Sequence, residues 1–256
     1  MARILVTGSA DGLGRMAAAL LVTAGHRVVV HGRSAERAHK ALEQIPGAEA
    51  AVTGDLASIE ATCQLAHEVN RLGAFDAVIH NAGVGYRERR RGDTRDGLPE
   101  VLAVNTLAPY ILTALIQRPQ RLIFVSSGLH RSADADLEDF TWTQRPWNGL
   151  AAYAETKLHE VLLAFALARR WPDVFSNSVE PGWVATKMGG PNAPDDLDAA
   201  PRTQAWLASS NDPAAHISGK NFYHMRQQPA LAAASDTALQ DRLLAECGRI
   251  SGVALP

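Results

Sequence analysis

The chain has almost no cysteine. Cys63 and Cys247 are the only two in 256 residues, and they stand far apart. They form neither a metal-binding spacing nor a disulfide framework, so a reducing setting, the cytoplasm, is expected and no metal site is. No charge sign prevails either. With 25 Lys and Arg against 27 Asp and Glu, the formal charge is −2. That excludes a whole-protein attraction to nucleic acid or to an anionic membrane. Long apolar runs are missing as well. The longest in helical territory is VLLAFALA, residues 161–168, far below the ~20 residues that span a bilayer. The chain opens MARILVTG, straight into a strand pattern, and no signal peptide is read there. Linkers, repeats and low-complexity tracts are absent too. One domain over residues 1–256 is the expectation, and 46% apolar content is enough to bury a full core.

Strand-like and helical patterns alternate through that length. RILVTG, HRVVVHG, AEAAVTGDL, FDAVIHNAG, RLIFVSS, VFSNSVEPG and HISGKNFYH read as strands. Helical patterns separate most of them. Leu13, Met16, Ala17, Leu20 and Leu21 share a helical face that Gly25 ends, and Ser34 offers a cap to SAERAHKALEQI. A long helix is expected near residues 98–117, another around Tyr153, and a last one near 236–247. This alternation predicts an α/β fold, a doubly wound parallel sheet of about seven strands with helices on both faces.

Two stretches carry chemistry. TGSADGLG, Thr7 to Gly14, follows the first strand and opens the first helix. A glycine-rich strand-to-helix turn aims backbone N–H groups and a helix dipole at one point, a seat for a pyrophosphate. AYAETK places Tyr153 and Lys157 one helical turn apart. A free phenol, with a pKa of about 10, is a poor proton carrier near neutrality. A lysine cation at ~4–5 Å supplies the ~3–4 kcal/mol that would lower it by ~2–3 units. After the second strand come His31, Gly32 and Arg33, with no carboxylate before Glu36. Arg33, helped by Arg37, suits a ribose 2′-phosphate, which favours NADP(H) over NAD(H).

Further motifs extend the pattern in order: GDL at 54–56, HNAG at 80–83, VNTLAPYILT from Val104, FVSSG at 124–128 and PGWVATKM at 181–188. With TGSADGLG and YAETK they make the chain resemble the short-chain dehydrogenase/reductase family over nearly its full length. The resemblance implies an oxidoreductase that moves a hydride between a nicotinamide and a carbonyl or alcohol. It implies cofactor contacts from Thr7, Gly8, Ser9, Asp11, Gly12, Leu13 and Gly14, from Asp55 and Leu56, and from Asn81, Ala82 and Gly83. Pro181, Gly182, Val184 and Thr186 complete that set with Tyr153 and Lys157. It gives Tyr153 the role of acid and base, Lys157 that of lowering its pKa, Ser127 that of holding the substrate oxygen, and Asn105 that of bracing a proton relay. Of the serine pair, Ser127 rather than Ser126 matches. His80 departs from the usual motif and is expected to be a tolerated loop brace. Asp11 stands where many NADP-preferring relatives carry a base.

Ser127 and Tyr153 are 26 positions apart. This long interval, with YAETKL after it, resembles the retinol-dehydrogenase-like branch, which implies an apolar aldehyde or ketone as substrate. The sequence departs at KLHE, and His159 is expected at a surface. Segments 128–149 and 184–200 are expected to be substrate lids. Beside Ser127 and Tyr153, they offer Leu129, Trp147, Trp183 and Met188 as contacts. A non-catalytic dinucleotide sensor on the same fold is the chief alternative; a nucleotide-sugar epimerase ranks lower. RERRRGDTR, residues 87–95, lacks interleaved aromatics and reads as a solvated loop, with no nucleic-acid partner. The helix near 98–117 is apolar on more than one face, and pairing with a second copy would bury it, so a homodimer or homotetramer is expected.

Overall fold

The computed structural model describes residues 1–256. Eight strands form one sheet in the order β3-β2-β1-β4-β5-β6-β7-β8. They are β1 (Arg3–Val6), β2 (Arg27–Gly32), β3 (Ala50–Thr53), β4 (Ala77–His80), β5 (Arg121–Val125), β6 (Phe175–Glu180), β7 (Asn221–Tyr223) and β8 (Arg226–Gln228). The first seven run parallel and β8 runs antiparallel to β7. The central strands run apolar on both faces through their middles, as in Ile4–Val6, Val28–Val30, Ala77–Ile79 and Leu122–Val125, because both sheet faces are covered. Ile4, Val6, Val28, Val30, Ile79 and Ile123 pack on one side, toward α1 (Gly12–Thr23), α2 (Ala35–Gln44) and α7 (Arg202–Ser209). Leu5, Val29, Val78, Leu122 and Phe124 pack on the other, toward α3 (Ile59–Arg71), α5 (Ala108–Leu115), α6 (Gly149–Arg170) and α8 (Thr237–Ser251).

Side-chain caps start these helices where the sequence offers them. Asp11 accepts from Gly12 N, Ser34 from Arg37 N, Ser58 from Ala61 N and Asn148 from Ala151 N. The strand order reverses between β1 and β4, so the crevice beyond their carboxyl ends is the place for a ligand. No helix is long and apolar enough to cross a membrane, and no group of three His, Cys, Asp or Glu is set to hold a metal.

Three expectations change. The seventh strand keeps only Asn221–Tyr223, and an eighth follows through a turn in which His224 and Met225 have φ of 48° and 59°. Such hairpin turns favour Gly or Asn, so His-Met gives no warning, and the exposed RQQ of β8 shows no alternation. Helix α7 was also hidden, being short and preceded by Pro201. Finally, the helix near 98–117 is α4 (Glu100–Leu102), a π-helical turn (Ala103–Leu107) and α5 in succession. Its apolar faces are already buried inside the chain, by α3 on one side and by α8 on the other. Tyr110 Oη donates to Val253 O at 2.9 Å, tying α5 to the C-terminal tail. The argument for a second copy from this helix therefore loses its basis.

Candidate active site

The crevice above β1 and β4 is a cleft of about 470 Å³. The glycine loop forms its floor. Gly8 has φ 64°, and a Cβ there would lie 2.7 Å from Ala82 Cα. At Gly14 a Cβ would lie 2.5 Å from Gly8 O. Only glycine lets these backbones meet. Thr7 Oγ1 accepts from Asn81 N and Ala82 N at 3.0 and 3.1 Å, locking the loops after β1 and β4 together. Buried His31 accepts from Gly8 N through Nδ1, while its Nε2 meets Gly54 O at 2.9 Å. Burial depresses its pKa, which suits this neutral bracing role.

Gly8, Asp11, Gly12 and Leu13 face the cleft, as do Arg33, Asp55, Leu56, Asn81, Ala82, Gly83, Pro181 and Thr186. Thr7, Ser9 and Gly14 sit behind that surface. Ser9 is fully buried, with Oγ donating to Val6 O and accepting from His31 N, so it shapes the loop rather than lining the cleft. Gly182 and Val184 likewise shape the following segment. A Cβ on Gly182 would meet Asp195 at 2.8 Å, and Val184 bridges to Asp195.

Tyr153 and Lys157 project into the cleft from α6. Ser127 lies beside the phenol and favours its ionised form, while Tyr153 Oη points toward Met188 Sδ at 3.9 Å. Ser126 is spent elsewhere, donating to Lys157 O at 2.6 Å and holding α6 against β5. Lys157 Nζ lies 5.4 Å from the Tyr153 ring centre. It donates to Val125 O at 2.9 Å and to Glu160 Oε2 at 2.8 Å. Asn105, on the π-turn, holds Val84 at both ends, accepting from its N and donating to its O at 2.9 Å each. It also donates to Thr156 Oγ1 at 3.1 Å. Its side chain is thereby committed to bracing the β4 loop beside Lys157. π-turns often mark functional positions, and this one carries Asn105.

The electrostatics correct the simple expectation for Tyr153. Lys157 does pull its pKa down, but burial outweighs that, Glu160 opposes it, and the net shift is upward. In the cofactor-free protein Tyr153 is thus held as an acid.

The walls also differ from expectation. Tyr86 Oη donates to Met188 O at 2.8 Å, and its ring meets that of Tyr153 at 5.5 Å. Arg87 donates to Gly189 O at 3.0 Å. The rest of residues 87–95 is mostly exposed and forms a solvated loop, as expected; none of it lines the cleft. Tyr86, just before that loop, was the missed signal. Leu129, Trp147 and Met188 pack around Val101, Trp142, Ala152 and Tyr153. Trp183 does not. It is 55% exposed, and its Nε1 donates to Gly189 O on the outer side of the 184–200 segment. Segment 128–149 is pinned to α6: Arg145 pairs with buried Glu155 at 2.6 and 2.8 Å, and Trp142 Nε1 donates to the same carboxylate at 3.0 Å. Segment 184–200 reaches back across the cleft, where Lys187 pairs with Asp11.

His80 and His159 are also corrected. Neither touches the cleft or the surface. His80 is bonded to Thr113 Oγ1 at 3.0 Å and stacked on Phe124, while His159 is bonded to Thr106 Oγ1 at 3.1 Å and packed on Phe140. Burial holds both down to about 3.

Comparison with known proteins agrees with this geometry. Residues 2–134 match the family model described as short chain dehydrogenase. An uncharacterized oxidoreductase of Emericella nidulans is 45% identical over 100% of this chain and 99% of its own. Human retinol dehydrogenase 13 is 30% identical over 99% of this chain and 85% of its own. A crystal structure of a putative uncharacterized protein from Mycobacterium paratuberculosis superposes with a TM-score of 0.86 at 24% identity, covering 100% of this chain and 95% of that one, and so shares the fold. The chain belongs to the short-chain dehydrogenase/reductase family, in its retinol-dehydrogenase-like branch, and is an oxidoreductase.

Proposed function

We propose that the protein is an NADP(H)-dependent carbonyl reductase that acts on an apolar aldehyde or ketone. One observation carries the reading: Tyr153 and Lys157 converge at the end of the cleft whose floor is the glycine loop, with Ser127 beside the phenol. The floor fits a dinucleotide: glycine at 8 and 14 lets the loop close on Ala82 and on itself, and glycine at 12, which lines the cleft and where a Cβ would stand in open space, leaves room for a pyrophosphate. Arg33 and Arg37 stand at the cleft end where an adenosine 2′-phosphate would reach. Asp55 and Leu56 would border the adenine.

Bound NADPH would supply the hydride to the carbonyl carbon. The chain's own groups handle the oxygen. Ser127 Oγ donates a hydrogen bond to it, and Tyr153 Oη delivers the proton that completes the alcohol. The raised pKa of Tyr153 keeps that proton in place until it is needed. Lys157 then favours the phenolate left behind. Val101, Leu129, Trp147 and Met188 give the substrate an apolar surround, with Tyr86 over the phenol.

The test is a panel of aldehydes and ketones with NADPH, followed at the nicotinamide absorbance, in wild type and Tyr153→Phe. Turnover in wild type and its loss in the variant, with NADPH affinity kept, is expected. Wild-type turnover in Tyr153→Phe refutes the assignment. Tight NADPH binding with a blank panel makes the protein a dinucleotide sensor instead.

A further inference from the structure

Glu160 stands behind the site and no step above uses it. It is 0% exposed. One oxygen takes the Lys157 ammonium at 2.8 Å. The other, Oε1, is buried without a partner. Carboxylates rarely enter an interior with half their acceptors unfilled, since each unmet group costs on the order of 1–3 kcal/mol. With Val125 O also taken, two of the three ammonium protons are held by the protein. The third is left toward Gly83, whose Cβ position lies 3.3 Å from Nζ.

We propose, building on the reductase reading, that Glu160 is a positioning residue: it fixes the Lys157 ammonium and opposes that ammonium's pull on the Tyr153 proton. Lysine alone would draw the phenol toward ionisation. A carboxylate on the far side of the same ammonium cancels part of that field. Tyr153 then keeps its proton to higher pH, which is the state a carbonyl reductase must start from.

The surroundings isolate this pair. Arg131 and His130, on the 3-10 turn beside α6, face Glu180 of β6. Arg169 and Arg170 of α6 face Asp241 of α8. His159 faces Thr106, and His80 of β4 faces Thr113 of α5. Cys247 of α8 is buried, with its thiol pushed far up. Lys157 is left as the charge acting on Glu160, and Tyr153 lies two helical turns away on the same helix. Burial pushes Glu160 up to about 8 despite Lys157. It is therefore ionised before Tyr153 titrates, and its charge is present when it matters.

The test is an ultraviolet titration of Tyr153 in cofactor-free protein, taking Tyr153→Phe as the blank. Glu160→Gln keeps shape and a hydrogen bond to Lys157 but removes the charge. The Tyr153 titration is expected to move down by about one unit, from a unit charge lost at two turns' distance. Glu160→Asp restores the charge and should bring the titration back. In turnover, the alkaline limb of carbonyl reduction should move down by a similar amount in Glu160→Gln. An unmoved or raised titration in the neutral variant overturns the proposal. Glu160→Asn carries the same reading if Glu160→Gln does not fold. The titration needs neither cofactor nor substrate, so a blank carbonyl panel would refute the reductase reading and leave this result to stand or fall alone.

Discussion

Replacing Asn105 with alanine tests how the cleft is held open. Asn105 is wholly buried and makes two hydrogen bonds to Val84 and one to Thr156. Alanine strands the N–H and the C=O of Val84 together. An unmet buried group costs on the order of 1–3 kcal/mol. Val84 is only half-buried, so water recovers part of that, and the expected loss is about 2–4 kcal/mol. Thr156 loses little, because its hydroxyl still donates to Tyr153 O at 2.8 Å. For a chain of this size each kcal/mol shifts Tm by roughly 2–4 °C, so Tm should fall by roughly 5–15 °C. The loop from Gly83 to Val84 would also leave its place beside Lys157, so NADPH affinity should fall with stability. Asn105→Asp separates the two bonds: it still accepts from Val84 N but faces Val84 O with a second acceptor, and should be at least as damaging. Calorimetry and nicotinamide fluorescence read both effects. A Tm within ~2 °C of wild type would refute the bracing role.

Two further outcomes follow from buried and exposed charge. An unfolded histidine titrates near 6.5, whereas folded His80 and His159 titrate near 3. Between these values the unfolded chain binds protons that the folded chain refuses. The stabilisation is therefore whole above about 6.5 and is lost as pH falls toward 3, by about 2–3 kcal/mol per histidine at pH 4.5. Urea unfolding across that range should show the decline and His80→Asn should flatten it; a variant with the wild-type slope counts against the mechanism. For the cofactor, Arg33→Ala should weaken NADPH binding roughly ten- to a hundredfold, as expected for a lost charged hydrogen bond, and leave NADH unchanged. Equal losses for both cofactors would mean that Arg33 does not read a 2′-phosphate.

Much of this was legible from residue order. Apolar strands separated by amphipathic helices imply a covered parallel sheet, and Tyr153 and Lys157 at one turn's spacing must share a face. The glycines of the first turn imply a close approach that Gly14 realises against Gly8 O. What stayed hidden depends on partners far along the chain. Tyr86 gains meaning only when Met188, over a hundred residues later, folds onto it. His159 reads as surface until Phe140 covers it. The net pKa shift of Tyr153 turns on burial, which no spacing reports. Trp183 belongs to the right segment yet turns outward, because its indole N–H is taken by Gly189 O.

The covering of α5 and α6 by α8 sets an order of synthesis. The flank built by residue 170 stays bare until residues 237–251, near the end of the chain, have been made. The sheet and its Tyr–Lys pair can therefore assemble on the ribosome while a greasy side waits for its last piece. A ribosome stalled before α8 should hold a nascent chain that chaperones grip, and resuming synthesis through residue 251 should end that grip.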